Sequence, residues 1–213
     1  MTRNLEMSTM NDLRGLAKCH KASFPNALSS KLGNRFIMKM LSWYILDERG
    51  ILFHIKHEDQ YLGYCGGILI RQPGLPGAAS SITQHSFNTF LLSFISKPWL
   101  IFHPENMKRI GFIKKNILTR LGISKRINAP IISKETFKAT MGLVVIGVPA
   151  SLQNRGYGSE ILQEFERIAK EKGFKKIILS VNPNNIKAIN AYKKNKWMEE
   201  QREKDSLNMY KLI

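Results

Sequence analysis

The run Leu143-Val-Val-Ile-Gly-Val-Pro-Ala150, then Gln153-Asn154-Arg155-Gly156-Tyr157-Gly158-Ser159, then Lys175-Lys-Ile-Ile-Leu-Ser-Val181 and Asn182-Pro-Asn-Asn185, decides the reading of this chain. Leu143 to Val148 is a near-continuous apolar run, the composition of a strand buried on both faces. After Gly158, Ile161, Leu162, Phe165, Ile168 and Ala169 recur at helical spacing, and Gly173 supplies a stop. Ile177 to Val181 reads as a second buried strand, so the three elements form a parallel strand–helix–strand unit. A helix that starts directly after a strand has backbone N–H groups without partners. Such a start, preceded by a glycine-bearing turn, is a seat for a pyrophosphate.

Two phosphate-binding patterns fail on these residues. A dinucleotide fingerprint wants a small third residue where this chain has Ile161, and an acidic group where the second strand ends in Ser180-Val181-Asn182. A nucleoside triphosphate loop needs Gly-Lys followed by Ser or Thr, a sequence the chain does not contain. What remains is Gln-x-x-Gly-x-Gly, filled by Gln153, Gly156 and Gly158. Downstream come Asn185, Ala188, Tyr192 and Lys196-Trp197. On these residues the chain resembles the GNAT superfamily of acyl-CoA-dependent N-acyltransferases, with Lys196-Trp197 where the family usually shows Gly-Phe.

The resemblance implies an α/β (α+β) fold: a mixed, mostly antiparallel central sheet with one parallel, splayed strand pair, flanked by helices. It implies acetyl-CoA, a coenzyme A thioester, as co-substrate, no metal, and a primary amine as acceptor in a direct-attack ternary complex. Backbone groups near Ile146 and Val148 would hold the pantetheine arm and the thioester. The amides of Gln153, Asn154, Arg155, Gly156, Tyr157, Gly158 and Ser159 would wrap the diphosphate, with the Arg155 side chain adding a charge. Asn185 would bond the cofactor arm or cap its helix, and Tyr192 would be the catalytic acid for the departing thiolate. No base is evident. Glu135, Glu58 and Asp59 are candidates, each weighed against a solvated surface charge.

Outward from this segment, the first third reads as strand, two helices and hairpin. Leu5 to Ser8 is a strand, Leu13 to His20 a helix ended by Phe24-Pro25, and Leu32 to Tyr44 a second helix. Ile51 to Lys56 and Tyr61 to Ile70 are strands joined at Glu58-Asp59. Residues 71–140 are read as a basic helical insertion between the third and fourth strands of one domain spanning 1–213. Phe87, Phe90, Leu91, Phe94 and Ile95 form an apolar helix, and a second helix runs from Pro104 to Leu121. The tail from Trp197 fits a closing antiparallel hairpin.

The formal charge of +17 predicts attraction to something acidic, and the block 71–140 carries eleven Lys and Arg against two Asp and Glu. An anionic or nucleotide-linked amino sugar as acceptor fits that charge. The competing class is a basic protein that docks on an anionic membrane or partner, its acyltransferase-like domain non-catalytic or fed by an acyl carrier protein. Nucleic acid ranks last, since no aromatic-interleaved reader accompanies the charge. Cys19 and Cys65 form no ligand pair, His54 and His57 would point to opposite faces of a strand, and no Gly-x-Ser-x-Gly elbow exists. No apolar leader or spanning run is present, so a soluble, cytoplasmic protein is expected. Oligomeric state is open.

Overall fold

The computed structural model describes residues 4–102 and 138–213. Seven strands form one sheet in the order β1-β2-β3-β4-β5-β7-β6. They are β1 Asn4–Met7, β2 Gly50–His57, β3 Gln60–Ile70, β4 Thr140–Gly147, β5 Lys176–Val181, β6 Met198–Arg202 and β7 Leu207–Leu212. Every neighbouring pair is antiparallel except β4 and β5. The helices are α1 Leu13–Ser23, α2 Leu28–Leu32, α3 Asn34–Leu46, α4 Ala78–Ser96, α5 Tyr157–Glu171 and α6 Ile186–Lys194.

Alternation along β2 sorts the two cores. Ile51, Phe53 and Ile55 join the cluster under α5 and α6, which includes Ile161, Phe165, Ile189 and Tyr192. Leu52 points the other way, into the cluster of α1 and α3 with Leu16, Ile37, Leu41 and Tyr64. Helix α5 can seat closely because β3 has glycine beneath it: a Cβ on Gly67 would fall 2.7 Å from Cε2 of Phe165. Phe165 is fully buried, and truncating it to Ala would cost about 3–5 kcal/mol.

The first third departs from expectation at Gly33. Its φ of 103° is open to glycine, and it breaks the expected second helix into α2 and α3. Helix α1 starts behind a turn in which Asp12 accepts from both the amide and the hydroxyl of Thr9, at 2.7 and 2.8 Å.

The apolar helix expected around Phe87–Ile95 is longer, Ala78–Ser96; its first two turns are Ala, Ser, Thr and Gln around a single Ile82, too little apolar periodicity to read from sequence. It packs on α3, and its inward face mixes Ala78, Ser86 and Ser93 with Ile82, Phe90 and Phe94, the Phe90 ring lying 6.1 Å from that of Phe36. Ser86 and Ser93 are buried with their hydroxyls donating to Ile82 and Thr89 carbonyls, while Leu91, Leu92 and Ile95 are exposed. The second insertion helix expected from Pro104 to Leu121, and Glu135, lie outside the described residues. Among those described, no helix is long and apolar enough to cross a membrane.

Candidate active site

The parallel pair β4–β5 holds together for only three positions. Met141, Gly142 and Leu143 pair with Ile177, Ile178 and Leu179, and pairing stops there. The cause lies on the other edge of β4. Gly67 pairs with Leu143 and Gly66 with Val145, so Val144 is an extra residue without a partner on β3. A bulge of this kind bends its strand and re-aims the residues after it. Beyond it, Val145, Ile146 and Gly147 stay on β3, while Ser180 and Val181 go with β7. The two strands therefore diverge, and main-chain groups on their facing edges lose their ladder. Val144, expected to be buried, is 39% exposed at the start of this gap. Ile146 pairs with Cys65, and Val148 lies one residue past the strand end.

The gap leads into the bend. A 3-10 turn at Ala150–Leu152 brings the chain to Gln153, Asn154 takes φ of 63° and Gly156 φ of 89°, and α5 begins at Tyr157. No side chain caps this helix start. The amides of Asn154, Arg155, Gly156, Gly158 and Ser159 donate to no backbone group among the described residues, the first bond of the helix being Glu160 N–H to the Gly156 carbonyl at 3.0 Å. These donors converge on an uncapped helix N-terminus, where the dipole favours an anion. Arg155 is exposed beside them.

Gln153 has a different place from the one expected. Its amide donates to the Ala150 carbonyl at 3.4 Å, so it belongs to the turn rather than to the free donors. Its side chain braces the bend, donating to the Val148 carbonyl at 3.0 Å and accepting from Lys187 Nζ at 2.6 Å. Lys187, a cation held next to the bend, escaped the sequence reading because it belongs to α6 and meets Gln153 only in the fold.

The two glycines of the bend are there for different reasons. Gly156 needs its left-handed φ. Gly158 has ordinary helical geometry, and a Cβ on it would meet nothing within 4 Å. No feature of the protein's own packing asks for glycine there, although glycine in a helix costs about 0.5–1 kcal/mol relative to Ala. A ligand lying against the backbone does ask for it.

On α6, Asn185 is the N-cap: its Oδ1 accepts from Ala188 N–H at 3.2 Å, and its amide hydrogens have no acceptor among the described residues. Tyr192 is 7% exposed and packs in the core against Trp197, ring centroids 6.0 Å apart. Its hydroxyl has no hydrogen-bond partner among the described residues. Burial, and after it the neighbouring Cys65 thiol, pushes its pKa up to about 12. Glu58 and Asp59 sit exposed in the β2–β3 turn, with Lys56 Nζ 3.8 Å from Asp59. Cys19 is buried with its thiol pushed up to about 11 by burial, unlike an activated nucleophile. No cluster of three metal-ligating side chains occurs among the described residues.

A splayed parallel pair running into an uncapped helix start is an arrangement suited to a long, phosphate-bearing carrier. The acetyltransferase (GNAT) family model matches residues 14–197, and the chain belongs to that family, as an acyl-CoA-dependent N-acyltransferase. Solved structures with the same fold include the PaiA N-acetyltransferase of Thermoplasma acidophilum in complex with coenzyme A, 12% identical, TM-score 0.57, covering 100% of each chain. Arabidopsis thaliana NAA60 in complex with acetyl-CoA is also 12% identical, TM-score 0.57, over 100% of this chain and 99% of that one. The ribosomal-protein-S18-alanine N-acetyltransferase of Escherichia coli matches at 12% identity and TM-score 0.57, over 100% and 94%. Among curated proteins none matches the sequence.

Proposed function

We propose that this protein transfers an acetyl group from acetyl-CoA to a primary amine, by direct attack within a ternary complex. The observation that carries the reading is the pairing of the β4–β5 gap with a donor-rich bend whose Gly158 is open to solvent. The diphosphate lies on the amides from Asn154 to Ser159, with Arg155 and Lys187 at its edge. The pantetheine arm runs down the gap and pairs with main-chain groups of Val144 to Val148, while Asn185 offers its amide hydrogens to the arm. The acyl carbon then arrives near Gly147 and Val148, where the Val148 N–H, with no backbone acceptor among the described residues, is suited to bind the oxyanion.

Tyr192 donates to the departing sulfur. A phenol near 12 remains protonated at neutral pH, so the donor is always present. Complete transfer to a thiolate of parent pKa about 8.5 would be uphill by about 3.5 pH units, or about 5 kcal/mol. Tyr192 therefore acts as a hydrogen-bond donor while the C–S bond breaks, and solvent completes the protonation. The charge of +17 favours an anionic acceptor such as a nucleotide-linked amino sugar. Calorimetric titration with acetyl-CoA, then an amine panel followed by release of free thiol, tests the reading. Micromolar binding and amine-dependent thiol release are expected, and a protein that ignores acetyl-CoA refutes it.

One observation favours a second reading. The outer face of α4 and the turn after it present Leu91, Leu92, Ile95 and Trp99, 51–71% exposed, on a strongly basic protein. An anionic lipid surface is the occupant that both features suit. Flotation with anionic but not zwitterionic vesicles, lost in Leu92→Glu with Ile95→Glu, is the expected result; equal flotation with both lipids excludes it.

A further inference from the structure

Three residues far apart in sequence form a buried chain of hydrogen bonds on the α1–α2 side of the sheet. Tyr64 Oη lies 2.5 Å from His20 Nδ1, and His20 Nε2 lies 2.8 Å from Ser29 Oγ. Tyr64 is 0% exposed and His20 4%, while Ser29, in α2, is partly exposed. The chain thus runs from the interior to the surface and ends at a hydroxyl.

The direction of each bond follows from counting donors. The Tyr64 hydroxyl has one hydrogen, and His20 Nδ1 is its sole acceptor among the described residues. The phenol therefore donates to Nδ1. A neutral imidazole that accepts at Nδ1 carries its hydrogen on Nε2. Burial holds His20 neutral, with its pKa lowered to about 4. Nε2–H consequently donates to Ser29 Oγ, and the Ser29 hydrogen points elsewhere, with no acceptor among the described residues. Neither ring nitrogen of His20 is left to take a proton from a substrate, so His20 is not the missing base. Ser29 is an oriented donor.

The position of this donor relative to the gap is fixed by Phe24. Its ring packs on His20, centroids 5.0 Å apart, and its Cε2 lies 3.2 Å from where a Cβ on Gly147 would be. Tyr64 covers the same Gly147 from β3, with which it pairs. Phe24 and Tyr64 therefore cover the end of β4 on the face of the sheet opposite α5, with His20 packed against both and Ser29 on the far nitrogen of its ring. A carrier that enters along α5 leaves this face to the other substrate.

We infer that Ser29 is a specificity residue of the acceptor subsite, held as a hydrogen-bond donor by His20 and Tyr64, and that the acceptor is an amine bearing an oxygen close to its nitrogen. The inference rests on the acetyltransferase reading. Phe24 supplies an apolar wall beside that donor. His20 and Tyr64 are positioning residues, acting through Ser29.

The test uses the full chain with acetyl-CoA and three amines: glucosamine, trans-2-aminocyclohexanol and cyclohexylamine. The wild type should favour the oxygen-bearing pair over cyclohexylamine about tenfold in kcat/KM, the size expected of one hydrogen bond. Ser29→Ala should abolish that preference by raising the acceptor KM, with the KM for acetyl-CoA unchanged, and Ser29→Thr should restore it. Nitrogen-15 shifts should report the Nε2–H tautomer for His20 in the wild type and a disturbed ring in Tyr64→Phe. An Nδ1–H tautomer in the wild type, or a preference that survives Ser29→Ala, overturns the inference. So does a wild type that binds acetyl-CoA yet acetylates neither oxygen-bearing amine. A wild type that does not bind acetyl-CoA refutes the acetyltransferase reading itself, a distinguishable failure.

Discussion

Gly158→Ala should make the protein more stable and a worse ligand binder at once. The structure supplies both signs. A Cβ at this position meets nothing within 4 Å and the backbone is helical, so the substitution carries no steric penalty in the free protein. Replacing glycine by Ala in the first turn should then add about 0.5–1 kcal/mol, chiefly by restricting the unfolded chain. For a chain of this length that is a rise in Tm of about 1–4 °C. The same methyl would stand between the α5 amides and a diphosphate. Lengthening one or two charge-assisted hydrogen bonds, each worth about 1.5–3 kcal/mol, should weaken acetyl-CoA binding roughly 10- to 100-fold. Differential scanning calorimetry and isothermal titration on the same preparation measure the two effects. A variant that is stabilised but binds acetyl-CoA as tightly as the wild type would refute the argument, because Gly158 would then have no ligand to make room for.

Three further outcomes are expected from the geometry. Lys196 occupies the left-handed region at φ of 65°, and Lys196→Gly should therefore raise stability by about 0.5–1 kcal/mol in urea denaturation, since a side chain there is strained by about 1–2 kcal/mol. His20 is neutral in the fold, with a pKa lowered to about 4 by burial, against about 6.5 unfolded. Between those values the unfolded chain binds the extra proton, so stability should fall as pH drops from about 6.5 to 4, by about 3 kcal/mol; His20→Gln should flatten that limb, measured by denaturant titration against pH. Tyr192→Phe should lower kcat on the order of 10- to 100-fold with the acetyl-CoA Kd unchanged, whereas a purely packing role would leave kcat intact.

The strand–bend–helix–strand unit was legible because its signals are local: an apolar run, punctuating glycines, and a helical stripe that ends at Gly173. The bulge was not. Leu143 to Val148 reads as an uninterrupted buried strand, and Val144 is extra only when counted against Gly66 and Gly67 on β3. The bulge is what turns an ordinary parallel pair into an open gap, so the most important feature of the site was hidden in register. The same holds for the Ser29–His20–Tyr64 chain, whose inner link joins residues 44 apart in sequence. Gly33 did carry a local signal, a glycine inside an apolar stripe, at the break between α2 and α3. For α4 the periodicity misled. The Phe and Leu positions mark a helix correctly, but buried Ser86 and Ser93 share the inner face with Phe90 and Phe94, while Leu91, Leu92 and Ile95 face solvent.

The central claim, that main-chain amides at the start of α5 grip the diphosphate of a thioester carrier, is tested most directly by amide chemical-shift mapping during titration with acetyl-CoA. The largest changes should fall on Asn154 to Ser159 and on Val144 to Val148, together, at one affinity. Saturation with shifts confined to other elements, or no shifts at millimolar acetyl-CoA, would contradict the account.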